Sequence, residues 1–400
     1  MTMAHAAAGV FTPLALPNGV TLRNRLVKAA MSDSLGDGRG NPTPEQIRLY
    51  ERWAEGRVGA SIIGEVQGDP RFPEKPGNLV LADGCDRDAF RRLAVRGARG
   101  GGQIWVQLGH AGALAYAPIG TPKGPSALDL PGLKADALTA AEVRALPDQF
   151  ARTARMAQDL GFGGAEIHAA HGFLLSQFLS PLFNRRTDAY GGSISGRMRL
   201  LLETLRAVRA AVAQDFVVAL KLNATDQLSG GLTETDALKV VSALGGTGLD
   251  LLDISGGTYF PGAPSSSDRA SSGPYFLDFA AQARRRTDVP LMVTGGFKRR
   301  ADAENAIRSG AVDAVGLARA LVLDPCLPKT WAAGGEDPVF PRFETPPSGG
   351  LTAWYTMRLT DLGRDRDRQS GRDLATAIAH YEARVAEKAE LWNRRFGLCP

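Results

Sequence analysis

Short apolar runs alternate with amphipathic stretches along most of the chain. Each run is almost continuously apolar, which is typical of strands in a parallel sheet that is covered on both faces. Each is followed by apolar positions at helical spacing. The predicted strands occupy residues 25–30, 59–67, 102–110, 163–170, 216–224, 249–257, 290–296 and 312–319.

A helix is predicted after each of these strands. The segment NPTPE at 41–45 places prolines and Thr43 where the first helix would begin. Eight strand–helix units in succession predict a (β/α)8 barrel. A doubly wound open sheet is the alternative, but it usually has a Gly-rich turn after its first strand, and KAAMSDSLGDG at 28–38 lacks the GxGxxG spacing. The predicted helices lie near residues 43–55, 88–99, 140–160, 196–212, 233–244, 276–286 and 300–310, with a last one from about residue 320.

The pattern changes after residue 335. Residues 336–350, EDPVFPRFETPPSGG, are typical of a Pro/Gly-rich linker. Two further helices are predicted at 351–363 and 374–396, separated by a charged loop. The sequence thus predicts a barrel over residues 1–335 and, over 336–400, a linker with a helical extension that packs on the barrel or on a partner subunit.

Composition narrows the functional classes. The chain has 400 residues with a formal net charge of +5, which suits anionic small ligands and does not by itself indicate nucleic acid. Its three cysteines, Cys85, Cys326 and Cys399, are too far apart for a CxxC metal or cluster site. The N-terminal segment lacks the charged region of a signal peptide, and no apolar run reaches the roughly 18 residues that span a bilayer. A cytoplasmic protein without a membrane partner is expected.

Candidate chemistry gathers at the carboxyl ends of the predicted strands, where the sites of (β/α)8 barrels lie. The last two strands end in TGGF and GLAR just before helices, an arrangement in which backbone N–H groups can hold a phosphate. The middle strands end in neutral or basic hydrogen-bonding side chains. A phosphorylated cofactor with a polar, electron-accepting ring would use this set, namely Gln107, His168, His171 and Lys221.

One long motif connects this pattern to a known family. The segment HAAHGFLLSQFLSPLFNRRTDAYGGS, which starts at His168, resembles a signature of the Old Yellow Enzyme family of FMN-dependent ene-reductases. LRNRLVKAAM, VQLGHAG and GLARALVLDP resemble weaker family segments in the expected order, so the likeness runs from about Pro13 to Pro325. It implies a single-domain oxidoreductase without an iron–sulfur cluster, which uses NADPH or NADH to reduce the C=C bond of an α,β-unsaturated carbonyl compound.

The resemblance also implies residue roles. His168 and His171 would hold the carbonyl oxygen of the substrate, an enone or enoate, and Tyr259 is the candidate proton donor. Phe173 and Tyr116 would line the substrate pocket. The residues implied to contact FMN are Ala30, Met31, Ser32, Val66, Gln107, Lys221, Gly295, Gly296, Ala318 and Arg319. No metal is expected, and a homodimer is the assembly considered.

Two departures from the family pattern leave alternatives open. Phe173 stands where the family usually has its proton-donating tyrosine, so Tyr259, Tyr116 or water would have to replace it, or the enzyme would isomerise or desaturate its substrate. Lys221 stands where the family usually has arginine. A non-redox phosphate-binding barrel with Lys221 as a Schiff-base lysine is a further alternative. The His168–His171 pair could also be two metal ligands or structural residues.

Overall fold

Eight parallel strands close into a barrel in the computed structural model, which describes residues 9–261, 273–344, 346–347, 349–367 and 373–397. The first strand pairs with both the second and the eighth, with Val27 opposite Ala60 and Val315 opposite Leu26. This closure confirms the predicted (β/α)8 fold. The strands are β1 (Leu26–Lys28), β2 (Ala60–Gln67), β3 (Gln103–Gly109), β4 (Gly164–Ala169), β5 (Val217–Asn223), β6 (Leu251–Ser255), β7 (Leu291–Thr294) and β8 (Ala314–Leu317).

Helices surround this barrel, and several begin as the sequence predicts. Thr43 caps the first helix by accepting a hydrogen bond from the backbone N–H of Gln46, and Thr139 forms a capping box with Glu142. The helices are α1 (Pro44–Glu55), α2 (Arg87–Gly97), α3 (Ala140–Asp159), α4 (Leu174–Leu179), α5 (Ile194–Arg197), α6 (Arg199–Ala211), α7 (Glu234–Ser242), α8 (Leu277–Arg284), α9 (Arg300–Arg308), α10 (Arg319–Leu323), α11 (Leu327–Ala332), α12 (Gly350–Gly363) and α13 (Leu374–Phe396).

Smaller elements complete the barrel. An antiparallel pair, Leu14–Ala15 with Thr21–Leu22, contributes Leu14 and Leu22 to the apolar cluster inside the strands. The long loop after β3 holds three short strands at Lys123–Gly124, Leu128–Leu130 and Leu133–Ala137, which the sequence did not predict. A two-residue strand, Leu79–Val80, pairs with β2, and 3-10 turns lie at Arg99–Gly101 and Gly112–Leu114.

Strand alternation decides what fills the barrel. Side chains at every second position of a strand face the same side, and the inner cluster includes Val217 and Ala219 of β5 and Leu251 of β6. Continuing the alternation by one step brings Lys221 and Asp253 to the inner face at the carboxyl end. Apolar side chains therefore fill the inside of the barrel towards the amino ends of the strands, and charged side chains face inward at their carboxyl ends.

The C-terminal extension lies against the barrel of the same chain. The Arg52 guanidinium of α1 donates a 3.1 Å hydrogen bond to the carbonyl of Leu362 in α12. From α13, Lys388 Nζ donates to the carbonyl of Ser34 at 2.9 Å, and the indole N–H of the buried Trp392 donates to that of Pro70 at 3.2 Å. Within the described residues, none of the helices combines the length and apolar character needed to cross a membrane.

Candidate active site

A chain of buried polar side chains crosses the carboxyl end of the barrel. Lys221 Nζ lies 3.3 Å from Glu166 and closer still to Asp253. Gln107 donates a 2.7 Å hydrogen bond to Glu166, and Thr294 donates a 2.7 Å bond to Asp253. We call these five residues the central network. They sit on neighbouring strands β3 to β7, so the order of strands alone brings them together.

Lys221 stays a cation in this setting. Burial works against its ammonium form, but the carboxylates of Asp253 and Glu166 outweigh burial and raise the pKa of Lys221 above its ordinary value. A Schiff-base lysine must instead lose its proton easily. The geometry therefore argues against the non-redox lysine alternative and leaves a fixed positive charge beside the cleft.

The two histidines follow β4. Ala170 donates its backbone N–H to Nδ1 of His168 at 3.3 Å, which leaves the ring proton on Nε2. His171 has a positive φ of 60°, and its backbone N–H donates to Asn223 at 3.0 Å. Its Nε2 lies 2.9 Å from the Ser255 hydroxyl. The rings stand nearly perpendicular, with centroids 5.2 Å apart.

Both imidazoles are neutral near pH 7. Burial lowers the pKa of His171 to about 3, and the nearby Lys221 charge adds to that effect. Burial lowers the pKa of His168 well below its usual range, with His171 and Lys221 contributing in the same direction. The pair can therefore donate hydrogen bonds to a ligand oxygen as neutral N–H groups, without titrating in the physiological range.

Two aromatic side chains border the histidines. The ring of Phe173 packs 4.8 Å from that of His168 and 5.8 Å from that of Tyr259. Phe173 is 2% exposed, whereas Tyr259 is 66% exposed. Phe173 thus supplies an apolar surface, and Tyr259 brings a hydroxyl to the mouth of the same region.

Two carboxyl groups also line this region, and neither was among the site residues that the sequence predicted. Glu65 Oε1 lies 3.4 Å from Nε2 of His168, and Glu65 Oε2 accepts a 3.1 Å hydrogen bond from Gln67. Burial raises the pKa of Glu65 well above its ordinary value, and the neighbouring Glu74 raises it further. Burial likewise raises the pKa of Glu74. These shifts favour the neutral acids.

Glycine backbone and cationic side chains line the end of the site that follows β7 and β8. Gly295 and Gly296 have φ of +122° and +85°, and a Cβ on Gly296 would meet the carbonyl oxygen of Gly273 at 2.2 Å. Only glycine leaves the backbone accessible in this conformation. Lys298 and Arg319 add two cations to the same wall. The donor set therefore fits the phosphate of a flavin mononucleotide.

A single cleft collects almost all the residues predicted from the sequence. Those that line it are Ala30, Met31, Ser32, Gln107, His168, His171, Phe173, Lys221, Tyr259, Gly295, Gly296, Ala318 and Arg319. Val66 does not, because a register shift between Ile63 and Val66 turns Glu65 to the cleft and buries Val66 in the core. Tyr116 does not either. It packs in an apolar cluster with Trp392 of α13.

The metal interpretation of the histidine pair finds no third ligand. Across the described part of the chain, no three His, Cys, Asp or Glu side chains are grouped so that they could hold a metal ion. Glu166, the nearest carboxylate in sequence, contacts Gln107 and Lys221 in the central network instead.

Comparison with known proteins also indicates a flavin-dependent oxidoreductase. A model described as the NADH:flavin oxidoreductase / NADH oxidase family matches residues 9–337. An NADH-dependent flavin oxidoreductase of Hypocrea jecorina is 36% identical over 353 residues, which cover 80% of this chain and 87% of the relative. One of Neonectria sp. is 39% identical over 357 residues, covering 80% of this chain and 46% of the relative, so this chain spans about half of that protein.

Solved structures agree on the fold. An Old Yellow Enzyme homologue from Zymomonas mobilis superposes with a TM-score of 0.74 at 22% identity, covering 87% of this chain and 98% of that one. The family model extends over all eight strands, and one cleft brings together the Gly295–Gly296 backbone, Arg319 and the histidine pair. The chain therefore belongs to the NADH:flavin oxidoreductase / NADH oxidase family, as an FMN-dependent oxidoreductase.

Proposed function

We propose that the protein reduces the C=C bond of an α,β-unsaturated carbonyl compound with electrons from NADH or NADPH. The observation that carries the proposal is the neutral pair His168 and His171 at the opposite end of the cleft from Gly296 and Arg319. Two N–H donors that stay uncharged suit a carbonyl oxygen that gains negative charge during the reaction. Both relatives described above are named NADH-dependent, which makes NADH the first reductant to test.

The proposed roles of the remaining residues follow from their positions. Bound FMN would supply hydride transfer between the nicotinamide and the substrate. The backbone at Gly295 and Gly296, with Arg319, would hold its phosphate, and Ala30, Met31 and Ser32 would contact the ring. Gln107 keeps a second amide N–H and its oxygen for the ring. Lys221 would stabilise the negative charge that reduction places on the flavin.

Proton delivery is the open chemical step, because Phe173 carries no proton to give. Tyr259 presents a hydroxyl at the mouth of the cleft, and its ring lies 5.9 Å from that of His171. Tyr259 is therefore the proposed donor. The same observation favours a second candidate function, a double-bond isomerase or desaturase, since a reaction that returns hydride to the flavin or ends in oxidised substrate does not need that donor.

Anaerobic rapid mixing tests the proposal. Protein reduced with NADH would be mixed with cyclohexenone-type enones and, as a matched control, with the corresponding saturated ketones. Reoxidation by enones alone, with saturated product, supports the reductase. Failure of enones to reoxidise the flavin would show that this direction is wrong. Geometric isomerisation of an open-chain enone without net NADH consumption would identify the isomerase.

Three further statements stay predictions of the same kind. The substrate is a small enone or enoate, the protein acts in the cytoplasm, and a homodimer is the assembly to test for. Product analysis, localisation of a tagged full-length chain and light scattering test them separately.

A further inference from the structure

The cleft has a wall that does not come from the barrel. Five residues of α12 line the cleft: Leu351, Thr352, Tyr355, Thr356 and Leu359. The last four follow Leu351 by one, four, five and eight positions, so all five lie on one face of the helix. Phe340, in the segment before α12, lines the cleft as well. The family model ends at residue 337, so this wall lies beyond the matched barrel.

The wall stands at the phosphate end. The guanidinium carbon of Arg319 lies 5.8 Å from the centre of the Tyr355 ring, and Lys298 Nζ lies 5.6 Å from that of Phe340. Such contacts hold long cationic side chains in place over aromatic faces. Each cation of the phosphate end therefore has an aromatic neighbour in this wall, Phe340 for Lys298 and Tyr355 for Arg319.

The other side of α12 is anchored. The hydroxyl of Thr360 accepts a 2.6 Å hydrogen bond from Arg384 of α13. Near the C-terminal end of the helix, the backbone carbonyl of Leu362 accepts a hydrogen bond from Arg52 of α1. Met357 is buried against the core and does not line the cleft. The helix is thus fixed by contacts on the side away from the cleft. Its other side lines the cleft and includes Tyr355, which is 8% exposed.

We propose that Phe340 and the cleft-facing residues of α12 form the outer wall of the FMN site, so that the cofactor phosphate is held between barrel and extension. Binding of FMN and docking of α12 are then coupled, and each strengthens the other by the same factor. This inference rests on the proposed placement of FMN, and it gives the extension a binding role beyond packing.

The test compares two truncations on one helix in the full-length chain. Tyr355→Ala removes an aromatic ring from the cleft face, and Met357→Ala removes a buried side chain from the anchored face. Apoprotein would be titrated with FMN and with riboflavin, and binding followed by quenching of flavin fluorescence. Tyr355→Ala should raise the Kd for FMN at least about tenfold, with a smaller change for riboflavin, which lacks the phosphate.

The outcomes separate this inference from the proposed function. Wild-type protein that binds no FMN would overturn the flavin assignment itself. Wild-type protein that binds FMN with an unchanged Kd in Tyr355→Ala, or an equal rise in Met357→Ala, would overturn the wall alone. An equal loss of FMN and riboflavin affinity would place Tyr355 at the ring and also contradict the phosphate assignment.

A second experiment measures the effect of FMN binding on the docking of the extension. Arg342 is exposed in the segment before α12, and trypsin cleavage after it can be followed by mass spectrometry of the two fragments. FMN should slow that cleavage in wild-type protein and in Met357→Ala, and much less in Tyr355→Ala. Cleavage that is indifferent to FMN in the wild type would contradict coupling.

Discussion

Removing the cation of the central network should destabilise the fold strongly. Lys221→Met keeps most of the side-chain length and deletes the charge. Lys221 is 1% exposed, and its partners Glu166 and Asp253 are fully buried, so the variant leaves two carboxyl groups in the barrel without their counter-ion. Breaking a buried ion pair by removing one partner costs about 3–5 kcal/mol. Because two carboxylates lose the same partner, we expect the upper part of that range at pH 8.

The loss should shrink as the pH falls. Burial and the Asp253 charge already raise the pKa of Glu166, and loss of the ammonium group raises it further. A carboxyl group whose pKa is higher in the folded than in the unfolded chain favours folding most below its unfolded pKa, and that contribution disappears as the pH rises through its folded pKa. The deficit of Lys221→Met relative to wild type should therefore be smaller at pH 5 than at pH 8.

Urea unfolding at both pH values measures this effect. Lys239→Met is the matched control, because Lys239 forms an exposed 3.1 Å pair with Asp236 and should lose less than about 1 kcal/mol. Asp253→Asn alone and combined with Lys221→Met completes a double-mutant cycle. A loss for Lys221→Met no larger than that of the control, or an equal loss at pH 5 and pH 8, would refute the argument.

Three shorter predictions concern the cleft. Phe173→Tyr should speed product protonation by a factor on the order of 10²–10⁴ if the reductase is limited by that step, as judged by the rate at which saturated product appears after mixing; an unchanged rate would remove protonation as the limit. Because the pKa values of His168 and His171 lie below their usual range, substrate-driven flavin reoxidation should show no imidazole step near pH 6.5 in stopped flow, and a one-proton step there would contradict neutral donors. Gly296→Ala should lower the bound flavin per chain, whereas Gly310→Ala, also at positive φ but with nothing within 4 Å of its Cβ, should not; equal flavin content in both would contradict the phosphate assignment.

The barrel and most of the cleft follow from the sequence for a simple physical reason. Near-continuous apolar strands followed by amphipathic helices fix a parallel closed sheet, and in such a sheet the carboxyl ends of all strands meet on one face. Gln107, His168 and Lys221 could therefore be placed near one another without knowledge of their contacts. Their spacing by strand, rather than any local motif, carried that prediction.

The exceptions depend on contacts that periodicity does not encode. The register shift in β2 exchanges Glu65 for Val66 at the cleft, and a shift of one residue in a strand turns every following side chain to the other face. Tyr116 does not line the cleft, because it packs in a cluster with Trp392, more than 270 positions later in the chain. The role of α12 was equally hidden, since a Pro/Gly linker does not show where the next helix will dock.

The contacts of α13 also bear on the order in which the molecule assembles. Lys388 reaches the carbonyl of Ser34 across 354 positions, and the β8–β1 pairing that closes the barrel joins similarly distant segments. Contacts of such long sequence separation slow folding, because the loops between them must be closed first. During synthesis the surfaces around Ser34 and Pro70 therefore stay uncovered until α13 has left the ribosome. Translation that stops before α13 would release a barrel in which the segments around Ser34 and Pro70 are exposed to solvent. We expect chaperones to bind such truncated chains and proteases to degrade them.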